Sequence, residues 1–167
     1  MLSDMLSKFA ARPPPGAQSM LDAAFRTVLN SHPALFERLG EHRSKTYAFL
    51  PTGFPYAVLV RPAHECVKLA GKGESKEADA AVSGDFVSLL ALLEGHVDGD
   101  ALFFSRDLSV TGDMEAIVAL RNAVDDSGLD LPHDLSPLAG PFANLFAAVA
   151  ERVRSHALSH KGARRWS

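Results

Sequence analysis

The chain has few of the features that stabilise a protein without a hydrophobic core or that anchor a protein in a membrane. It has one cysteine, Cys66, among 167 residues, so no disulfide can form within it and nothing in it requires an oxidising compartment. No apolar run approaches the ~20 residues of a membrane-spanning helix, and the first residues, MLSDML, lack the basic start of a secretory signal. We therefore expect a cytoplasmic protein, either soluble or peripheral at the inner membrane.

An excess of positive charge is also missing. The formal net charge is −3. The only cluster of basic residues in the sequence lies near the C-terminus, together with a single aromatic residue. Nucleic-acid binding needs a basic face with interleaved aromatics or a reading helix, so we expect no nucleic-acid partner. A cationic end with a tryptophan suits an anionic membrane surface instead. The candidate membrane-docking residues are Arg164, Arg165 and Trp166.

Catalytic and metal-binding signatures are absent as well. Ser105 has no nucleophile-elbow glycines around it, and a catalytic triad cannot be assigned from Ser105 and scattered histidines alone. His156 and His160 are one helical turn apart, but no carboxylate or cysteine follows at a ligand spacing. We predict no catalytic residue, no metal and no cofactor, and we interpret Cys66 as a small packing residue.

The order of elements predicts an α+β fold. Alternating apolar residues between positions 45 and 82, separated by short turns, indicate strands that we expect to form an antiparallel meander. A further region, residues 101–111, would complete a mixed, mostly antiparallel sheet of about five strands covered by helices. We expect Asp113 to cap the helix that follows and Gly128 to lie just beyond its end.

Proline-rich stretches divide the chain into three parts. Residues 1–16 form an N-terminal extension that ends in Pro-Pro-Pro-Gly, residues 17–130 form the domain, and residues 131–167 form a C-terminal helix with a basic tail.

One predicted helix, residues 85–95, is apolar on every side. Such a helix either is buried all round or borders an apolar space. Periodicity alone favours ordinary core packing.

This helix, together with the segment DALFFSRDLSVTGD that spans residues 100–113, resembles the sterol carrier protein lipid-binding domain. Within that family the segment is similar to the UbiT-like accessory factors of oxygen-independent ubiquinone biosynthesis. The resemblance covers residues 45–126. It implies that helix and sheet enclose a hydrophobic tunnel for one lipid tail.

The resemblance also implies which residues line that tunnel. They are Phe86, Leu89, Leu90, Leu93, Leu102, Phe104 and Leu108. Ser105 and Arg106 lie next to this wall and are candidates to hold a phosphate or phenolic head group. The alternative for Arg106 is a strand-end salt bridge to Asp107 or Asp113.

The expected function is therefore that of a non-enzymatic lipid-binding accessory factor. It would present a polyprenylated quinone precursor, or a membrane lipid, to ubiquinone-pathway hydroxylases. Two alternatives stay open, namely a general intracellular lipid carrier and a structural or dimerisation module with a closed core.

Overall fold

The fold is built on a five-stranded sheet, seen in a computed structural model that describes residues 13–94 and 106–138. The strands are β1 (Tyr47–Pro51), β2 (Tyr56–Arg61), β3 (Cys66–Gly71), β4 (Ala80–Gly84) and β5 (Leu108–Gly112). Their order across the sheet is β3-β2-β1-β4-β5. The β1–β4 pair is parallel and the other pairs are antiparallel. The predicted α+β class, with a mixed and mostly antiparallel sheet, is confirmed.

The predicted meander is wrong at β4. Strand β4 pairs with β1, with Tyr47 opposite Ala80, and does not continue antiparallel from β3. The chain between β3 and β4 is a 3₁₀ segment, Lys72–Glu77, and not the hairpin turn that its glycines suggest. Because this segment returns the chain to the end where β1 begins, β4 must run in the same direction as β1.

Helices flank the sheet. They are α1 (Ala17–Ser31), α2 (Phe86–Glu94), α3 (Met114–Ser127) and the single turn α4 (Leu131–Asp134). Further 3₁₀ segments span Glu37–Ser44, Pro62–His64 and Ser136–Leu138. Helix α3 has the predicted ends, since the Asp113 carboxylate accepts a hydrogen bond from the Ala116 N–H at 3.1 Å and Gly128 ends the helix with φ 67°.

The main core lies between one face of the sheet and the helices. Tyr47, Phe49 and Val82 project from the central strands, because residues two apart on a strand share a face. Ile117 and Leu120 of α3 pack onto them, and all five side chains are buried. The apolar stripe of α3 therefore faces the sheet, as its spacing predicts.

The opposite face of the sheet carries a smaller cluster of Ala48, Leu59 and Ala70. At the edge of this sheet, α1 lies along β3. The Gln18 amide donates to the Val67 carbonyl at 3.0 Å and accepts from the Leu69 N–H at 2.7 Å. One side chain thus makes the two hydrogen bonds that a neighbouring strand would make, which protects part of this edge.

The far end of α1 is tied to α4. The His32 Nε2 and the Asp134 Oδ2 are hydrogen-bonded at a distance of 2.6 Å. Phe25 of α1 also contacts Phe36, with ring centroids 5.8 Å apart. Helix α1 is therefore attached at both ends, although none of its residues is fully buried.

Cys66 is exposed at the start of β3, so its interpretation as a packing residue is wrong. Alternation along the strand directs the neighbouring Val67 into the core and Cys66 away from it. In the described part of the chain, no helix is long and apolar enough to span a bilayer. Most of the two predicted extensions, 1–16 and 131–167, lies outside the described residues, so the three-part division stays a prediction.

Candidate functional site

The candidate site lies at one end of the sheet. Strands β1, β3 and β4 end there, and β2 and β5 begin there. We call this the upper end. The antiparallel register places Gly84 beside Leu108 and Tyr56 beside Gly71. The turn between β1 and β2, the start of α2 and the approach to β5 therefore meet at the upper end.

A close backbone approach fixes the chain leading into β5. A Cβ added at Gly84 would come within 2.5 Å of the Asp107 carbonyl oxygen and 2.7 Å of Leu108 Cδ2. Arg106 precedes this contact with φ 65°, a left-handed conformation that is uncommon for a residue with a side chain. Glycine at position 84 thus lets the segment that carries Arg106 pack directly against the end of β4.

Helix α2 starts from the same place and has a strong cap. The Asp85 carboxylate accepts hydrogen bonds from the Ser88 N–H at 3.0 Å and the Ser88 hydroxyl at 2.5 Å. Ser88 is fully buried, so this contact satisfies a polar group that would otherwise be costly to enclose. The Thr52 N–H also donates to the Gly84 carbonyl at 2.8 Å and holds the β1–β2 turn against β4.

The two sides of α2 differ in burial. Leu89 and Leu92 are buried in the main core. Phe86, Leu90 and Leu93 recur at intervals of four and three residues, which places them on one face of the helix. On this face Leu90 and Leu93 are only partly buried and Phe86 is 43% exposed. Helix α2 is therefore apolar but not enclosed on all sides, and the border on an apolar space that its sequence allows stays a prediction.

Phe54, in the β1–β2 turn, extends this face. Its ring centroid lies 6.0 Å from that of Phe86 and its side chain is 54% exposed. Phe54 is not among the predicted site residues, because it lies in one of the short turns between predicted strands. The available signal was a large aromatic residue in a turn, where polar residues are usual.

The structure brings together part of the predicted site. Phe86, Leu89, Leu90 and Leu93 share α2, and Leu108 is buried at the start of β5. Leu102, Phe104 and Ser105 lie outside the described residues, as do Arg164, Arg165 and Trp166. Their roles, and the tunnel lining as a whole, stay predictions.

Arg106 is exposed at the upper end. Asp113, one of the two partners considered for it, lies at the other end of β5 and pairs with Lys45, with a nitrogen-to-oxygen distance of 3.5 Å. Hydrogen bonding from the Ala116 N–H, with a further contribution from Lys45, holds the pKa of Asp113 below its usual value. Asp113 therefore serves the cap of α3 and the contact with Lys45.

The lower end of the sheet is polar and suits a structural role. Burial, followed by the charges of Asp113 and Asp79, raises the pKa of Tyr47 to about 12. The Tyr47 hydroxyl stays protonated at neutral pH and donates to the His42 carbonyl at 3.0 Å. Within residues 13–94 and 106–138, no group of three histidine, cysteine or acidic side chains is placed to hold a metal ion.

The upper end therefore combines an incompletely buried apolar helix face, two aromatic rings in contact and an exposed guanidinium. Apolar surface can hold a hydrocarbon chain, and a guanidinium can pair with a phosphate or a phenolic oxygen. This combination suits an amphipathic ligand with a long apolar part.

Comparison with known proteins agrees with the fold described above. Residues 25–125 match the profile of the SCP-2 sterol transfer family. A search of curated proteins finds no match.

Among solved structures, the chain is similar to a UbiJ-SCP2 ubiquinone synthesis protein, with a TM-score of 0.56, 21% sequence identity and coverage of 71% of this chain and 98% of that one. It is also similar to the apo form of sterol carrier protein 2 from Yarrowia lipolytica, with a TM-score of 0.46, 13% identity and coverage of 72% of this chain and 99% of that one. At 21% identity, the likeness to the UbiJ-SCP2 protein shows a shared fold and nothing further.

Proposed function

The chain belongs to the SCP-2 sterol transfer family, and from this premise we propose that it is a non-enzymatic lipid-binding accessory factor of ubiquinone biosynthesis without oxygen. It binds a polyprenylated quinone precursor or a membrane lipid and presents it to ubiquinone-pathway hydroxylases. The observation that carries the proposal is the face of α2 formed by Phe86, Leu90 and Leu93, which is apolar and incompletely buried.

The physical reason is the cost of leaving such a face without a partner. Each methylene of a lipid tail that moves from water onto apolar surface contributes about 0.8 kcal/mol. A tail of ordinary length can therefore bind tightly through Leu90, Leu93 and their neighbours without a specific polar contact. Arg106 would orient the bound lipid by holding its head group near the upper end.

The pathway assignment depends on two likenesses. The segment DALFFSRDL resembles the UbiT-like factors, and one similar solved structure is a ubiquinone synthesis protein. A polyprenylated precursor has a tail too apolar to diffuse through the cytosol and a ring that soluble enzymes must reach. A protein that buries the tail and leaves the ring accessible overcomes this difficulty, and the carrier itself performs no reaction.

Lipid content tests the binding role directly. Protein purified without detergent should carry a lipid, seen by native mass spectrometry and identified after organic extraction. Leu90→Arg should remove most of the bound lipid, because it places a cation on the apolar face of α2. Val118→Arg is the matched control, since Val118 is 45% exposed on α3 and its replacement should leave the lipid in place.

Two results would contradict the binding role when found together. They are the absence of lipid from the purified protein and the absence of uptake of a fluorescent fatty acyl probe. That pair of results would favour a structural or dimerisation module with a closed core.

Deleting the gene tests the pathway. Ubiquinone should fall in cells grown without oxygen and stay normal in cells grown with it, and a Leu90→Arg protein that folds by circular dichroism should not restore it. Normal anaerobic ubiquinone in the deletion strain, with no second carrier present, would exclude the pathway and leave a general lipid carrier.

A further inference from the structure

The exposed aromatic pair at the upper end has a distinct chemical setting. Phe54 and Phe86, which we call the apolar tip, belong to two different elements, yet their rings are in contact. Both elements are held in place, the turn by the hydrogen bond from the Thr52 N–H to the Gly84 carbonyl and the helix by the Asp85 cap. The tip is therefore a firmly positioned projection of the sheet.

Apart from Asp85, the two segments that carry the apolar tip contain no charged residue. The eleven residues from Leu50 to Val60 include no charged residue, and none occurs between Phe86 and Leu93. Asp85 is the acidic residue next to the tip, and its two carboxylate oxygens accept hydrogen bonds from Ser88. Asp85 aside, no charged side chain of these segments has to leave water when the tip moves into an apolar environment.

Positive charges flank the tip on both sides. Lys72 directly follows Gly71, where β3 ends at one edge of the sheet, and Arg106 precedes β5 at the other edge. Both side chains are exposed. The turn with Phe54 joins β1 and β2 between them. An aromatic centre with an exposed cation at each edge of the sheet is complementary to a bilayer whose head groups are anionic, although the acidic Asp85 and Asp107 also lie at this end.

We propose that the apolar tip inserts into the head-group region of an anionic bilayer while Lys72 and Arg106 contact lipid phosphates. The proposal rests on the proposed function, because a lipid carrier must meet a bilayer to load or release its ligand. It goes beyond that function by assigning the surface that meets the bilayer and the orientation of the sheet, with its upper end toward the membrane.

Phe54→Ser in the full-length protein tests the tip. In flotation with phosphatidylcholine vesicles containing a quarter phosphatidylglycerol, this variant should partition about tenfold more weakly than the wild type, as expected for one aromatic side chain withdrawn from the bilayer. Met114→Ser is the matched control, because Met114 is also 54% exposed but lies on α3. It should bind vesicles as the wild type does.

Two further experiments test the contribution of the flanking cations and the depth to which the tip inserts. The double substitution of Lys72 and Arg106 by glutamine should weaken binding to the anionic vesicles at least fivefold, and the difference should shrink as salt rises or when pure phosphatidylcholine is used. With Trp166→Phe as background, Phe54→Trp should report insertion through a blue-shifted emission and quenching by brominated acyl chains.

Three results would each overturn this inference. They are wild-type protein that does not float with anionic vesicles, Phe54→Ser that floats as well as wild type, and Met114→Ser that loses as much binding as Phe54→Ser. The lipid bound to the wild-type protein in solution is measured in parallel. Bound lipid in the wild type together with unchanged flotation of Phe54→Ser would reject the docking surface alone, whereas lipid-free wild-type protein would reject the proposed function.

Discussion

At the scale of single residues, Gly84 connects the fold to the site. Its missing side chain lets the Asp107 carbonyl approach the end of β4, and this contact places both Arg106 and the start of α2 at the upper end. Glycine is required at position 84 because the Asp107 backbone approaches it closely, and not because position 84 has an unusual backbone angle.

Gly84→Ala should therefore destabilise the protein. Its Cβ would meet backbone at 2.5 Å, so strands β4 and β5 would have to move apart. We expect a loss of about 2 kcal/mol in the free energy of unfolding, measured by urea denaturation. Gly73→Ala is the control, because a Cβ there meets nothing within 4 Å, and its effect should stay within about 0.5 kcal/mol. Equal stability of the two variants would contradict the role given to position 84.

At the scale of elements, α1 depends on specific contacts more than on burial. None of its residues is fully buried, and the Gln18 amide supplies two hydrogen bonds to the edge of β3. Leaving both backbone groups of β3 without these partners has a cost, because part of this edge is shielded from water.

Gln18→Ala should lower the free energy of unfolding by about 1–2 kcal/mol. Hydrogen exchange at the Leu69 amide should speed up more than exchange elsewhere in the sheet, because this N–H donates to Gln18. Ser19→Ala, at an exposed neighbouring position, is the control for helix propensity. Unchanged exchange at Leu69 in the Gln18 variant would show that the contact is dispensable.

Elements were easier to predict than their arrangement. The apolar spacing of α3 and the cap at Asp113 are local signals, and both predictions are confirmed. The pairing of β4 with β1 depends on the path of residues 72–77 across the sheet, and glycines at 71 and 73 suit a hairpin turn equally well. Strand pairing between distant segments leaves no short-range pattern to detect.

The candidate site shows the same division. Composition alone identified α2 as a helix without a polar side, which is the central feature of the site. Which of its faces is less buried depends on how it packs against β4 and α3, and periodicity does not reveal that when every position is apolar. Phe54 reaches the site through the fold of the β1–β2 turn, so sequence spacing could not connect it with Phe86.

At the scale of the whole molecule, the sequence predicts a second contact with membranes. The tail with Arg164, Arg165 and Trp166 lies outside the described residues and is proposed to assist docking on anionic bilayers. Truncation after Leu158 should reduce sedimentation with anionic liposomes at low ionic strength, and the difference should fade as salt is added. Unchanged sedimentation at low salt would show that the tail is a solvated terminus that does not contribute to docking.

The strand order also has a consequence for how the protein is made. During synthesis, β1, β2 and β3 can pair as soon as they leave the ribosome, because short connections join them. The second neighbour of β1 arrives later, since Thr46 and Asp79, which are hydrogen-bonded beside the β1–β4 pair, are 33 residues apart in the chain. Until β4 arrives, the central strand of the finished sheet is an open edge, and during this interval the nascent chain can pair with another chain and aggregate.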